Sequence, residues 1–211
     1  MGIDDIKAFY HAGAELSRLY LAGQVVWEKA VLRLPHDEDF VRGKKKGEWH
    51  YVGKHDAIGI PDTIQGERIT SIKKMFSLRG THVRKVSCGR HITNMAAAFV
   101  GNKARYLDLT ELSTGYVVDM SGMFLNARSG TIDLRYADTR RVRTMQAMFA
   151  NCKAHTLNLG MFDTSKVLDM YAMFEGCTAK TVYVRNAEEK ARMEATSNCP
   201  KTINFVAGND R

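Results

Sequence analysis

The chain has 211 residues, 45% of them apolar and 26% charged, with a formal net charge of +8 and only four cysteines. This composition excludes a disordered or collagen-like chain, and four scattered cysteines are too few for a disulfide framework. No window approaches the roughly 18 consecutive apolar residues of a membrane-crossing helix, so no membrane insertion is expected.

From the N-terminus, MGIDDIKAFYHAG carries two early acids and no apolar segment, so no secretory signal is expected there. Ile6 stands where a myristoylation motif needs Ser or Thr. Leu19 and Leu21 lead into Ala22 and Gly23, and Val25 and Trp27 lead out, an alternation about a glycine turn that predicts a β-hairpin. The run GKKKGEW at 43–49 reads as an exposed loop. His36, Asp37, Glu38 and Asp39, with His50 and His55, are metal-capable types, but their spacing matches no defined site, and neither metal nor cofactor is expected. Residues 1–57 hold nine basic and nine acidic side chains, so the whole charge excess lies in 58–211. These two stretches are the expected domains, a small β-rich region over 1–57 and a repeat domain over 58–211.

Residues 69–91 contain Lys73, Lys74, Arg79, Arg84, Lys85 and Arg90 and no acid. Such a patch attracts polyanions. Without a recognition motif its plainer reading is a solvated face, and nucleic acid is not expected as a partner.

The same octet then recurs: ITNMAAAF at 92–99, VVDMSGMF at 117–124, VRTMQAMF at 142–149 and VLDMYAMF at 167–174, each 25 residues after the last. A degenerate copy, ITSIKKMF, occupies 69–76. Between them YLDL at 106–109, TIDL at 131–134, TLNL at 156–159 and TVYV at 181–184 keep the same spacing and alternate as half-buried strands do. Apolar residues at i, i+3, i+6 and i+7 of each octet mark one stripe of a two-turn helix. Asp163, Thr164 and Ser165, and Asp138 and Thr139, are placed as N-caps, and Gly101, Asn151 and Gly176 as stops. The predicted fold is therefore α/β, a leucine-rich-repeat-like solenoid of 25-residue strand–turn–helix units in which each unit buries its face on the next.

This pattern assigns most of the methionines to the core. Met95, Met120, Met145 and Met170 form one expected ladder, and Phe99, Phe124, Phe149 and Phe174 another. Cys152 and Cys177, 25 residues apart, are expected to stack as free thiols on adjacent turns. Residues 186–192 have helical composition and, with the apolar run 203–206, are expected to cap the last turn. Asp108, Asp133 and Asn158 lie between inward strand residues and are expected to point outward as a polar ladder. With Tyr183, Thr110, Arg135 and Arg185 they make up the predicted recognition face. No nucleophile elbow, metalloprotease, P-loop or dinucleotide motif occurs, so no enzyme is expected.

The stretch FDTSKVLDMYAMFEGC at 162–177 resembles the BspA-like, Treponema-type leucine-rich repeat, and the resemblance extends over about 58–206. The earlier copies depart from it, with Ala98 in place of the second methionine. Bacterial members of that family are usually secreted surface adhesins, and similar repeats occur in structural proteins of tailed bacteriophages. The hairpin segment at 16–28 is similar to a short start motif of phage tail and virion proteins. With no secretory signal expected, the resemblance implies a non-enzymatic bacteriophage virion structural protein of tail, baseplate, fibre or capsid decoration. It would be assembled in the host cytoplasm, in many copies per particle. Leu19, Leu21, Val25 and Trp27 would attach it to other virion proteins, and the repeats would face a host-envelope component. The alternative is a bacterial cell-surface adhesin.

Overall fold

The structure, a computed structural model, describes residues 18–21, 24–28, 37–44, 47–77 and 82–208. It divides into two compact units, Met1–Val31 and Leu32–Arg211. In the first, β1 (Arg18–Leu21) pairs antiparallel with β2 (Gln24–Glu28), Leu19 opposite Trp27 and Leu21 opposite Gln24, with the register slipping between Leu19 and Tyr20.

The second unit opens with an antiparallel pair, β3 (Phe40–Arg42) and β4 (Trp49–Tyr51). Next come β5 (Ala57–Ile60) and a small antiparallel pair, β6 (Thr63–Ile64) with β7 (Glu67–Arg68). Each repeat then contributes one strand: β8 (Lys85–Cys88), β9 (Tyr106–Asp108), β10 (Thr131–Asp133), β11 (Thr156–Leu159) and β12 (Thr181–Val184). A helix, α1 (Ala187–Glu194), and a last strand, β13 (Asn204–Ala207), follow. Strands β5 and β8 to β13 form one seven-stranded parallel sheet in chain order. Thr131 pairs with Thr156 and Thr156 with Thr181, so the 25-residue sequence period is the strand register itself. The chain is a β-solenoid, in which each coil adds one strand and buries its apolar face on its neighbours.

The helix expected over each octet is absent. An α-helix needs a φ near −63° at every residue. Here Ala97, Gly122, Ala147 and Ala172 take φ of 54°, 57°, 52° and 55°, and four residues later Gly101, Asn126, Asn151 and Gly176 are left-handed again. Turns close locally across these points, as Met148 N–H to Met145 O at 3.1 Å about Ala147. Alternate amides donate to the coil above instead: Phe99 to Met123 O at 2.9 Å, Phe124 to Met148 O at 2.9 Å, Phe149 to Met173 O at 2.8 Å. The residue before each methionine helps to start the turn. Asn94, Asp119 and Asp169 each accept the amide two residues ahead through Oδ1, at 2.9, 2.9 and 2.8 Å, and Thr144 does the same through Oγ1 at 3.3 Å. Short polar side chains bond locally in this way and compete with helix. Asp138 and Asp163 likewise accept the amides of Arg140 and Ser165 in tight turns rather than capping helices. The α/β expectation is therefore corrected to a β-solenoid. Among the described residues α1, in the stretch whose composition predicts a helix, is the one α-helix, and Asn186 caps it.

The left-handed position of the octet is occupied mainly by small residues, and a Cβ placed on Gly122 would come no nearer than 3.9 Å to Leu125 Cβ. Gly122→Ala is thus expected to cost about 1 kcal/mol, the left-handed penalty alone. Gly122→Val, with a β-branched side chain in that conformation, should cost at least about 2 kcal/mol. Urea midpoints falling in that order at constant m would verify this.

The core is a column of rings. Phe76, Phe99, Phe124, Phe149 and Phe174 stack with centroids 5.2, 5.6, 5.3 and 5.5 Å apart and planes within 10° of parallel. Phe205 closes one end edge-on at 5.4 Å, and Tyr51, backed by Phe40, closes the other at 5.7 Å. Met95, Met120 and Met145 are fully buried, whereas Met170 packs half-buried against the core. Phe40, Trp49 and Tyr51 belong to the same core cluster as the repeats. The repeat-bearing unit therefore begins ahead of residue 58, because these side chains seal the open end of the first coil.

Candidate binding surfaces

Lys85, Asp108, Asp133, Asn158, Tyr183 and Val206 stand in one register column across the sheet. The column is not the free polar ladder expected. Asp133 is buried, with Tyr106 Oη donating to its Oδ2 at 2.6 Å and Arg135 Nε donating to Oδ1 at 2.9 Å. Asp108 is half-buried and accepts the amide and hydroxyl of Thr110 at 3.0 and 2.6 Å. Asn158 is half-buried as well. Tyr183, Arg135 and Arg185 are exposed, and Arg185 Nη1 reaches Asp163 at 3.3 Å. The physical reason is packing: the ring of Tyr106 and the folded-back guanidinium of Arg135 cover the carboxylate that lies between them. The face is a network of pairs with Arg135, Arg185, Tyr183 and Tyr106 as its exposed groups.

Burial works to raise the Asp133 pKa, but hydrogen bonds from Arg135 and Tyr106 outweigh it and hold the carboxyl below its usual range. Burial and the bond to Asp133 push Tyr106 up to about 12. A depressed folded-state pKa contributes stability above the unfolded value, and that contribution is lost as pH falls through the folded value. Stability should therefore decline below about pH 4. Asp133→Asn is expected to lose about 1–2 kcal/mol at neutral pH and to show a shallower acid limb, measured by urea unfolding from pH 7 down to pH 3.

The expected basic patch does not hold together. Arg84 pairs with Asp56, and Lys85 Nζ lies 2.7 Å from Glu111 and 3.8 Å from Asp108. Lys73, Lys74 and Arg90 are exposed, and Arg79 lies outside the described residues. The patch is contiguous only in sequence: Lys73 and Lys74 lie in the turn after Ser71, Lys85 lies on β8 and Arg90 follows that strand. Cations that sequence reasoning passed over lie instead on the turns entering the strands. Lys103, Arg128 and Lys153 show the signal that could have found them, since they are 25 residues apart. A concavity of about 480 Å³ opens at one end of this row, lined by His82, Arg84, Lys103, Ala104, Arg105, Tyr106 and Thr131.

Cys152 and Cys177 are buried free thiols in adjacent coils, joined by the Thr178 N–H to Cys152 O bond at 2.9 Å. The hydrogen bond between the two thiols, together with burial, pushes the Cys152 thiol up. Burial raises Cys88 to about 11. No group of three or more His, Cys, Asp or Glu among the described residues is placed to hold a metal, and His36 lies outside them. No helix among them is long and apolar enough to cross a membrane. Leu19, Leu21, Val25 and Trp27 lie on β1 and β2.

A family model described as "Mycoplasma protein of unknown function, DUF285" matches residues 70–187, from the second residue of the first octet through β12. Neither a curated protein nor a solved structure matches the chain.

Proposed function

The chain belongs to the DUF285 family, and from that premise we propose that it is a non-enzymatic display protein whose repeat unit recognises a partner and whose small hairpin unit attaches it to a larger assembly. The observation that carries this reading is the division of labour in the fold. A separate compact unit contains the β1–β2 hairpin, and a solenoid presents exposed side chains in columns set by its register. Solenoids supply extended recognition surfaces of this kind.

The assembly we propose is a bacteriophage virion, in which the hairpin contacts other virion proteins and the repeats project toward a host-envelope component in many copies. Mass spectrometry of gradient-purified particles should then find the chain in constant stoichiometry, and deletion of residues 1–31 should abolish its incorporation. Absence from purified particles would overturn the virion setting. A second reading, a bacterial cell-surface adhesin, draws support from the family's description, which names a bacterium. Protease shaving of intact cells tests it, since a surface protein is released and an internal one is not.

A further inference from the structure

We propose that the turns entering the parallel sheet form a binding ridge for a linear anionic polysaccharide. The proposal deepens the recognition role assigned above and rests on it. Lys103, Arg128 and Lys153 occupy equivalent positions in successive coils, as do Arg105, His155 and Lys180 with Gly130 between the first two. Ladder bonds hold them in register: Arg128 N–H to Asn102 O at 2.7 Å, Lys153 N–H to Ala127 O at 2.7 Å, His155 N–H to Gly130 O at 2.7 Å and Lys180 N–H to His155 O at 3.0 Å. Neighbouring strands lie about 4.8 Å apart, so the row presents a cation at nearly every step over about 15 Å.

All six side chains are exposed, and none has a salt-bridge or side-chain hydrogen-bond partner among the described residues. The cations on the sheet face differ: Lys85, Arg135 and Arg185 are each paired to a carboxylate. The turn segments 102–105, 127–130, 152–155 and 177–180 contain no Asp or Glu at all. A like-charged row spaced by the backbone repels itself and gains when a polyanion lies along it. The concavity at its first coil supplies a seat with one aromatic wall. Tyr106 is 45% exposed there beside His82, Lys103 and Arg105, a suitable platform for a sugar ring.

A polysaccharide fits this surface better than nucleic acid does. Single-stranded binding needs successive aromatic platforms for the bases, and this ridge has one. Duplex readout by the common modules inserts a helix or ribbon in a groove, and the ridge is made of turns.

The test uses the purified full chain and heparin oligosaccharides of defined length, with duplex DNA and neutral dextran as comparators. Heparin is expected to bind saturably, more weakly as salt rises, and dextran not at all. Joint Lys103→Gln, Arg128→Gln, Lys153→Gln and Lys180→Gln should weaken heparin binding by about tenfold or more. A control with the same charge change on exposed Lys54, Lys73, Arg90 and Lys166 should lose less than about threefold. A charge-preserving set, Lys103→Arg, Lys153→Arg and Lys180→Arg, should retain binding, which separates loss of charge from loss of fold. No heparin binding, equal loss in the ridge and control sets, or tighter binding of duplex DNA than of heparin would each overturn the proposal. Failure here with the chain still on particles or cells leaves the display role standing. Heparin binding by a chain absent from both removes that role and leaves the ridge.

Discussion

Phe149→Ala is expected to destabilise the repeat unit by about 4 kcal/mol, the middle of the range for buried phenylalanine truncations. Phe149 is fully buried and is stacked on both sides, on Phe124 at 5.3 Å and Phe174 at 5.5 Å, with planes 5° and 10° from parallel. Truncation removes the ring's transfer free energy, opens a cavity and breaks two aromatic contacts of about 0.5–1.5 kcal/mol each. The cavity cannot close easily, because the backbone spacing of the coils is set by ladder bonds above and below, as Phe124 N–H to Met148 O at 2.9 Å and Phe149 N–H to Met173 O at 2.8 Å. Phe162 is equally buried but has no ring partner among the described residues, so Phe162→Ala should cost about 3 kcal/mol and isolates the stacking contribution. Because each coil touches only its neighbours, a break at Phe149 should also uncouple the coils on either side. Urea unfolding is expected to show both a lower midpoint and a smaller m, the mark of lost cooperativity. A cost below about 1 kcal/mol for Phe149→Ala would mean that the ring column does not hold the coils together.

The column itself was legible without coordinates, since a period of 25 residues aligns Phe99, Phe124, Phe149 and Phe174 by arithmetic. The same arithmetic fixes the strand register and the stacking of Cys152 on Cys177. The local conformation of the octet was not legible. Apolar residues at i, i+3, i+6 and i+7 face inward in a two-turn helix, and they do so equally in a coil built from three-residue turns. What separates the two is the small residue at positions 97, 122, 147 and 172, together with the glycine or asparagine four residues on. Gly101, Asn151 and Gly176, expected as helix stops, are left-handed within the coil itself and end no helix. The recognition face fared differently again. Alternation places Asp133 on the outer side of the sheet, but its burial depends on Tyr106 from the preceding coil and on Arg135 turning back over it. Neither orientation follows from a spacing.

Glu189→Ala should lose about 3 kcal/mol, although the residue lies on α1 and far from the middle of the core. The interior coils explain why. Thr139 is fully buried, and its hydroxyl bonds the coil above, donating to Asp163 O at 2.9 Å and accepting the Asp163 amide at 2.8 Å. Thr164 holds the equivalent position in the next coil, where a further repeat would offer backbone at residue 188 but α1 begins instead. Glu189 takes over that task. Its carboxylate accepts the Thr164 amide at 3.1 and 3.2 Å and the Thr164 hydroxyl at 2.6 Å, while its own amide donates to Asn186 Oδ1 at 2.9 Å. The charge is buried, yet it sits in the first turn of α1, where the free amides and helix dipole favour an anion. Alanine would leave a buried amide and hydroxyl without acceptors, the costly form of a lost hydrogen bond. Glu189→Gln keeps one acceptor oxygen and should cost about 1 kcal/mol. The damage should stay local, because only the last coil loses its partner. Hydrogen exchange is therefore expected to accelerate at Thr164 and Val184 in the alanine variant, with the amide of Phe99 unchanged. Uniform acceleration along the solenoid would instead place Glu189 in a global role, and a loss below about 1 kcal/mol would show that water satisfies Thr164 at the open end.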